Sequence, residues 1–237
     1  MNKRSLSIPT LLFASISAIL GSGWMFSALY TSELAGPAAL LSWIIGGVML
    51  GFIAFTFAEL SAMIPITGSS VRIPQYTHGT LVGFVFSWFI WLSYVALAPT
   101  EVQGVIQYAT LFFPQLTTLS GKLTSSGYFT AVILMLLLSA LNIFSLRWLM
   151  RANSILTLFK IALPLILAIS VFVMMFHRHS QQHMPRSFLP YGYHGMFAAI
   201  STGGITFAFN GFKQACEMAG EAKRPAVSLP IAIIGCH

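Results

Sequence analysis

Six long apolar runs divide the chain, at about 8–34, 38–64, 81–112, 128–146, 152–176 and 195–220. Each is near or above the roughly 20 residues a helix needs to cross a bilayer, so the pattern predicts an all-α polytopic membrane protein. Gly36-Pro37 predicts a tight turn, with Pro37 placed to open the second helix. That helix is expected to end between Glu59 and Pro65, and Pro65–Gly79, with Gly68, Arg72, Pro74 and His78, reads as a connecting loop. Pro114 ends the third run and Gln115–Gly127 reads as a polar loop. Arg151 and Asn153 open the fifth run, and a second loop spans His177–His194. A seventh run begins after Pro225 and Pro230, but Leu229–His237 supplies only nine residues, under half a span. The expectation is a fragment of something longer, or a truncated product.

Two of the runs are interrupted. Gly21-Ser22-Gly23 lies in the middle of the first, and two glycines bracketing a serine should loosen or unwind a helical turn. In hydrocarbon an unwound turn leaves backbone groups without partners, so it is tolerated only against protein or a water-filled cavity. Close helix packing through small residues explains the tripeptide equally well when it is taken alone. In the sixth run, Gly203-Gly204-Ile205-Thr206-Phe207-Ala208-Phe209-Asn210-Gly211-Phe212 repeats the feature, with Asn210-Gly211 expected to break the helix about halfway. Paired Gly-interrupted segments, first and sixth, point to a transporter built from inverted repeats. There, half-helix N-termini offer N–H groups to an anion and half-helix C-termini offer carbonyls to a cation, a match for an amino acid zwitterion.

Composition agrees with the pattern. Hydrophobic residues make up 57% and charged residues 7%, with a mean hydropathy of +0.82, against about 25% charged residues in soluble domains. The net charge of +7 comes from 12 Lys+Arg over five acids, all glutamate. The basic residues are scattered between runs and not clustered, as a nucleic-acid face would need. With the N-terminus inside, the inner loops hold Lys3, Arg4, Arg72, Arg147, Arg151, Lys223 and Arg224, and the outer loops hold Lys122, Arg178 and Arg186. That asymmetry predicts a cytoplasmic N-terminus. Cys216 and Cys236 lie on or near predicted spans and suggest no disulfide framework. The Lys3-Arg4 start mimics a signal peptide, but the apolar run that follows is too long for one.

Four blocks resemble the amino acid–polyamine–organocation permeases. Gly21-Ser22-Gly23-Trp24-Met25-Phe26 resembles the family's first-helix G-S-G-hydrophobic-F motif. Ala58-Glu59-Leu60 through Pro65, Gly68 and Ser69 is similar to its second-helix ending. Phe207-Ala208-Phe209-Asn210-Gly211-Phe212 matches its sixth-helix F-x-F-x-G-F. Ala219-Gly220-Glu221-Ala222-Lys223-Arg224-Pro225, then Leu229-Pro230, looks like its A-G-E-x-K-N-P…I-P loop, with Arg224 in place of the family's asparagine. Gly21-Ser22-Gly23-Trp24 and Gly211-Phe212-Lys213-Gln214 further resemble the branch described as aspartate–proton symporters. The resemblance implies a five-helix repeat over about 8–176, the start of a second over about 195–237, and a single incomplete transporter domain over 1–237.

It also implies site residues. The amides around Gly21, Ser22 and Gly23 would hold the substrate α-carboxylate, with the Ser22 hydroxyl helping. Carbonyls of Ile19, Phe207 and Asn210, beside Gly211, would receive the α-ammonium. Phe207 would cover the substrate from outside, or it is core packing in a chain with 20 Phe. Asn153…Thr157…Lys160…Pro164 resembles the fifth helix of proton-coupled members, where a lysine stands at the place related transporters bind sodium. A lysine at such depth must snorkel, pair or deprotonate. Desolvation disfavours its charged form and nearby carbonyls favour it, so proton gain and loss could tighten and release the broken first helix.

Lys213 stands where many members carry an acid, and a cation there suits an acidic substrate such as aspartate or glutamate. It could equally reach the inner interface or pair with Glu217 one turn on. Glu101, the one acid deep in a span, is a second protonation site or a lysine's partner. Glu59 and Glu221 are expected to hold loops at helix ends. His177, His179 and His183 have a loosely metal-like spacing without Cys or Asp partners, which favours a solvated loop. No His-Glu-x-x-His, Gly-x-Ser-x-Gly or phosphate-loop signature occurs, so no enzyme activity and no cofactor are expected. The expected function is secondary import of an amino acid by proton symport. The rivals are an exchanger without proton coupling and a non-transporting remnant or assembly subunit.

Overall fold

A computed structural model of the chain describes residues 5–118, 121–144, 146–177 and 187–237. Among the described residues the backbone is helical, and only isolated bridges, Leu6 with Ala222 and Thr117 with Leu123, interrupt that character. The first apolar run divides into α1 (Ile8–Ile19) and α2 (Ser22–Ala35). Gly36, at φ 59°, turns the chain into a 3-10 turn holding Pro37, and α3 (Ala39–Met63) follows, so the predicted Gly-Pro turn is present. Next come α4 (Ser69–Ala109), a 3-10 turn at Pro114–Leu116, α5 (Ser125–Phe144) and α6 (Leu146–His177). The last apolar stretches form α7 (Gly192–Ser201), α8 (Ile205–Ala208), α9 (Lys213–Glu217) and α10 (Pro225–Gly235).

Two expectations about boundaries are corrected. The segment Ser69–His78 is helical and not a loop, and the chain bends at Gly79 (φ 84°, ψ 178°) inside α4. Its start is anchored from outside: Gly68 N–H donates to the Glu217 carbonyl (2.9 Å) and Ser69 Oγ to the Cys216 carbonyl (2.8 Å). Those tertiary bonds outweigh the weak helix preference of Ser, Thr, His and Pro. Thr77 also satisfies itself on the Ile73 carbonyl at 2.9 Å, which suits a helix. Likewise α6 starts at Leu146, so Arg147 and Arg151 lie in its first turns and do not precede it.

Three stretches are long and apolar enough, by length and composition, to cross a membrane: Phe26–Met63, Ser69–Ala109 and Ala152–Met174. Ile8–Ile19, Ser125–Leu141 and Pro225–Gly235 are shorter apolar helices. The first and sixth of the six apolar runs are broken, as expected, and the fourth is represented by the shorter helix Ser125–Leu141 among the described residues.

The chain forms two compact units. In the unit made of residues 70–152, Val102, Ile106 and Leu116 are buried against Ala109, Leu123, Ala131, Leu134 and Met135. Thr124 ties the turn to the start of α5 by donating to the Gln115 carbonyl at 2.7 Å. The other unit joins residues 1–69 to 153–237. There α10 lies on α3 and α1, α2 lies on α7 and α8, and the core gathers Leu11, Leu50, Phe212, Leu229 and Ile233. Ser42, fully buried on α3, donates to the Met196 carbonyl of α7 at 2.8 Å, a buried polar contact that joins the two helices. Large apolar side chains on the spans, such as Phe52, Phe84, Phe159 and Phe172, are exposed.

Candidate functional site

The break in the first run is present where the glycines predict it, between Leu20 and Ser22. Leu20 closes α1 by donating its N–H to the Ile16 carbonyl, at φ −83° and ψ 54°. Gly21 is then extended (φ −97°, ψ −169°), a conformation any residue can adopt. What the glycines supply is low helix propensity and small bulk, not a left-handed turn. Gly21 caps α2 with no side-chain bond, so the amides of Ser22, Gly23 and Trp24 have no intrahelical acceptor. On the other side, the last carbonyls of α1 have no intrahelical donor. The break thus sets a half-helix N-terminus beside a half-helix C-terminus, positive and negative dipole ends respectively. The side chain of Ser22 lies outside the described ones.

The sixth run breaks at the predicted Asn210-Gly211 and once more before it. Gly204, not Asn210-Gly211, adopts the left-handed backbone (φ 87°) and separates α7 from α8. Phe209–Phe212 forms a 3-10 turn, with the Lys213 N–H on the carbonyls of Asn210 and Gly211. Asn-Gly weakens an α-helix, but tightening into a 3-10 turn satisfies that weakness without a positive φ. Gly211 is needed for space instead. A Cβ there would lie 2.5 Å from Ile19 N and 2.8 Å from the Ala18 carbonyl carbon, so the turn rests directly on the backbone where α1 ends. A Cβ on Gly204 would lie 2.5 Å from Ser27 Oγ of α2. The two breaks face each other within one unit, as the paired interruptions predict.

Because Gly204 combines a positive φ with that close approach, Gly204→Ala should destabilise the fold by about 1–3 kcal/mol. Thermal unfolding in detergent would show a lowered midpoint; an unchanged midpoint would contradict the geometry.

Ile19 is buried beside the turn, whereas Phe207 is 52% exposed and is not core packing. Its neighbour Phe209 meets Trp43 edge-on at 5.6 Å between ring centroids. The Phe209 N–H is shared between the carbonyls of Ile205 and Phe207, and the Lys213 N–H between those of Asn210 and Gly211.

Lys160 is an exposed residue whose head group reaches α1. Its Nζ donates to the Ser17 carbonyl and to Ser17 Oγ, both at 3.2 Å. Ser17 is four residues before Gly21, and its carbonyl would ordinarily take the N–H of that residue. The ammonium therefore occupies an acceptor that the break vacates. Ser17 in turn donates to Asn153 Oδ1 at 2.8 Å, and buried Thr157 donates to the Asn153 carbonyl at 2.6 Å. Ser17 was missed by residue-type reasoning, although counting four back from the first glycine would have found it.

Lys213 is half-buried at the start of α9. The expected pair with Glu217 does not form through Glu217 Oε1, which is buried with no hydrogen-bond partner. Glu101 is half-buried on α4 in the other unit, beside the core residue Val102. Glu59 is exposed, and Glu221 does hold a loop, but with its backbone: its carbonyl accepts the N–H groups of Ser5 (2.9 Å) and Leu6 (3.0 Å). Cys216 and Cys236 are free thiols. Lys3, Arg4, Arg178, His179, His183 and Arg186 lie outside the described residues, as does the His177 side chain.

The sequence pattern of the amino acid permease family matches residues 6–237. An aspartate-proton symporter of Bacillus subtilis (strain 168) is 37% identical over 235 residues, covering 99% of this chain and 45% of that protein. A glutamate/serine transporter of the same organism is 35% identical over 232 residues, covering 95% and 43%. A methylthioribose transporter, also of B. subtilis, is 27% identical over 241 residues, covering 98% and 51%. The chain spans about half the length of the curated relatives it matches.

Proposed function

This chain belongs to the amino acid permease family, an integral membrane family of transporters and not of enzymes, and on that footing we propose that it is the N-terminal portion of a proton-coupled amino acid importer. The observation that carries the reading is the Lys160 ammonium on the Ser17 carbonyl and hydroxyl, at the end of α1. A proton on Lys160 supplies donors that hold the broken first helix; its loss removes the charge and loosens that hold. Substrate and proton then bias one equilibrium between arrangements of the broken helices, which is all that symport requires.

The substrate carboxylate sits on the amides of Ser22 and Gly23, above Gly21. Its ammonium sits among the carbonyls of Ile19, Phe207 and Asn210, beside Gly211 and under the exposed Phe207 ring. Residues 8–176 form the first of two inverted repeats in one transporter domain, and residues 195–237 begin the second. The N-terminus faces the cytoplasm of a bacterial cell, and the plasma membrane is the site of action. Glu101 is a second group able to take a proton.

An acidic substrate is favoured by Lys213 and by the relatives, two of which are named for aspartate or glutamate. Lys213→Glu should lower aspartate and glutamate uptake at least about tenfold relative to neutral amino acids, the effect of about 1.4 kcal/mol or more of reversed charge interaction. Competition assays over a panel of amino acids in proteoliposomes would read this. Equal transport of neutral and acidic amino acids by the unaltered protein would remove the reason for naming Lys213. The coupling itself is tested by uptake with and without an imposed pH gradient; uptake that ignores the gradient leaves the exchanger as the better reading.

A further inference from the structure

Ser17 receives Lys160 and gives to Asn153 through one hydroxyl group, and those two roles are not independent. A hydroxyl carries a single hydrogen and two lone pairs. An ammonium can only donate, so the Ser17 oxygen facing Lys160 Nζ at 3.2 Å is an acceptor, and its hydrogen must point elsewhere. It points to Asn153 Oδ1 at 2.8 Å. The chain of donors runs one way, from Lys160 through Ser17 to Asn153.

We infer that Asn153 is a positioning residue for the proton on Lys160: by holding the Ser17 hydroxyl hydrogen, it turns the Ser17 lone pair toward the ammonium. The inference rests on the proton-coupling reading above and deepens it. Asn153 and Lys160 are seven residues apart on α6, two turns along one face and about 10 Å on the axis, too far to bond directly. Ser17, more than nine-tenths buried on α1, bridges that gap. Thr157, one turn on from Asn153, does not compete, because its hydroxyl hydrogen is spent on the Asn153 carbonyl. That bond also fixes the stretch of α6 from which Asn153 projects.

A neutral amine at Lys160 would want a donor facing its lone pair. The Ser17 hydrogen is already committed to Asn153, so Ser17 offers it none. No other titratable group shares this duty on the element bonded to Lys160: α1 carries no ionisable side chain from Ile8 to Leu20. On α6 itself, the nearest ionisable residues in sequence are Arg151 and His177, nine positions before and 17 after.

The test uses two variants of the whole protein in proteoliposomes, read by initial uptake rate against external pH. Uptake that needs the proton falls as pH rises, so a weaker hold on the proton moves the alkaline limb of the profile to lower pH. Asn153→Leu keeps the bulk and removes the acceptor, and should move that limb by about one pH unit toward acid. Asn153→Asp keeps the acceptor and adds negative charge, and should move it toward alkali. Opposite shifts support the inference. Profiles that coincide with the unaltered protein, or rates that drop in both variants without any shift, overturn it and leave Asn153 a packing residue. Failure of the coupling reading looks different: there the unaltered protein and Lys160→Ala would share one profile.

Discussion

Lys160→Ala should abolish uptake driven by an inward proton gradient while leaving a folded, inserted protein. Its ammonium is a charged donor to two acceptors of one residue, the Ser17 carbonyl and hydroxyl. Hydrogen bonds from charged groups contribute roughly 1.5–3 kcal/mol each, so losing them should lower the gradient-driven rate at least about tenfold. The variant offers no other proton to α1 at that point, because α1 has no ionisable side chain of its own. The measurement is accumulation in proteoliposomes with the interior alkaline, set against substrate exchange with no gradient. Loss of accumulation with retained exchange supports a coupling lysine. Equal accumulation by Lys160→Ala and the unaltered protein would falsify that role.

The second large effect should come from Gly211→Val. Gly211 is not among the residues with positive φ, so the substitution brings no left-handed strain; what it brings is collision. The added atoms would meet the backbone of Ala18 and Ile19, which, unlike a side-chain tip, cannot swing aside. Overpacking of this kind costs roughly 1–3 kcal/mol, and here the cost falls on the end of α1, where the proposed substrate ammonium binds. Substrate affinity should weaken about tenfold or more by equilibrium binding in detergent. Gly47→Ala is the control: a Cβ there would touch Phe209 at an ordinary 3.4 Å and should change little. If the two variants bind alike, the contact between the breaks does not shape the site.

The way these residues reveal themselves in sequence is uneven, for physical reasons. Gly21-Ser22-Gly23 was readable because in a long apolar run a polar, helix-poor tripeptide has few other uses. The sixth run is interrupted at Asn210-Gly211, as its composition suggests, but the further break at Gly204 was not legible. Gly203-Gly204 and Asn210-Gly211 both weaken a helix, and propensity cannot say which relaxes by a left-handed residue and which by a 3-10 turn. The packing decides: Gly204 lies against Ser27, and Gly211 against the Ala18–Ile19 backbone. Ser69–His78 was misread because its helical state depends on bonds to Cys216 and Glu217, some 150 residues away. Lys160 was legible by its depth alone, yet Ser17 and the directed hydroxyl between it and Asn153 were not. Serine in an apolar helix is commonplace, and only the spatial neighbour gives it meaning.

The bridge between Leu6 and Ala222 has a mechanical consequence. Ser5 and Leu6 donate to the Glu221 carbonyl, and Lys223 donates back to the Leu6 carbonyl at 2.9 Å. These three bonds splice the segment entering α1 to the segment leaving α9, so the lower halves of both interrupted runs are laced together at their base. Each bond contributes roughly 0.5–1.5 kcal/mol, and unlacing all three would add a barrier of a few kcal/mol to any step that separated them. The cheaper motion moves both halves as one flap, with α2 and α8 outside it. Ser5 and Leu6 are then the clasp that makes the two half-helices move as one body.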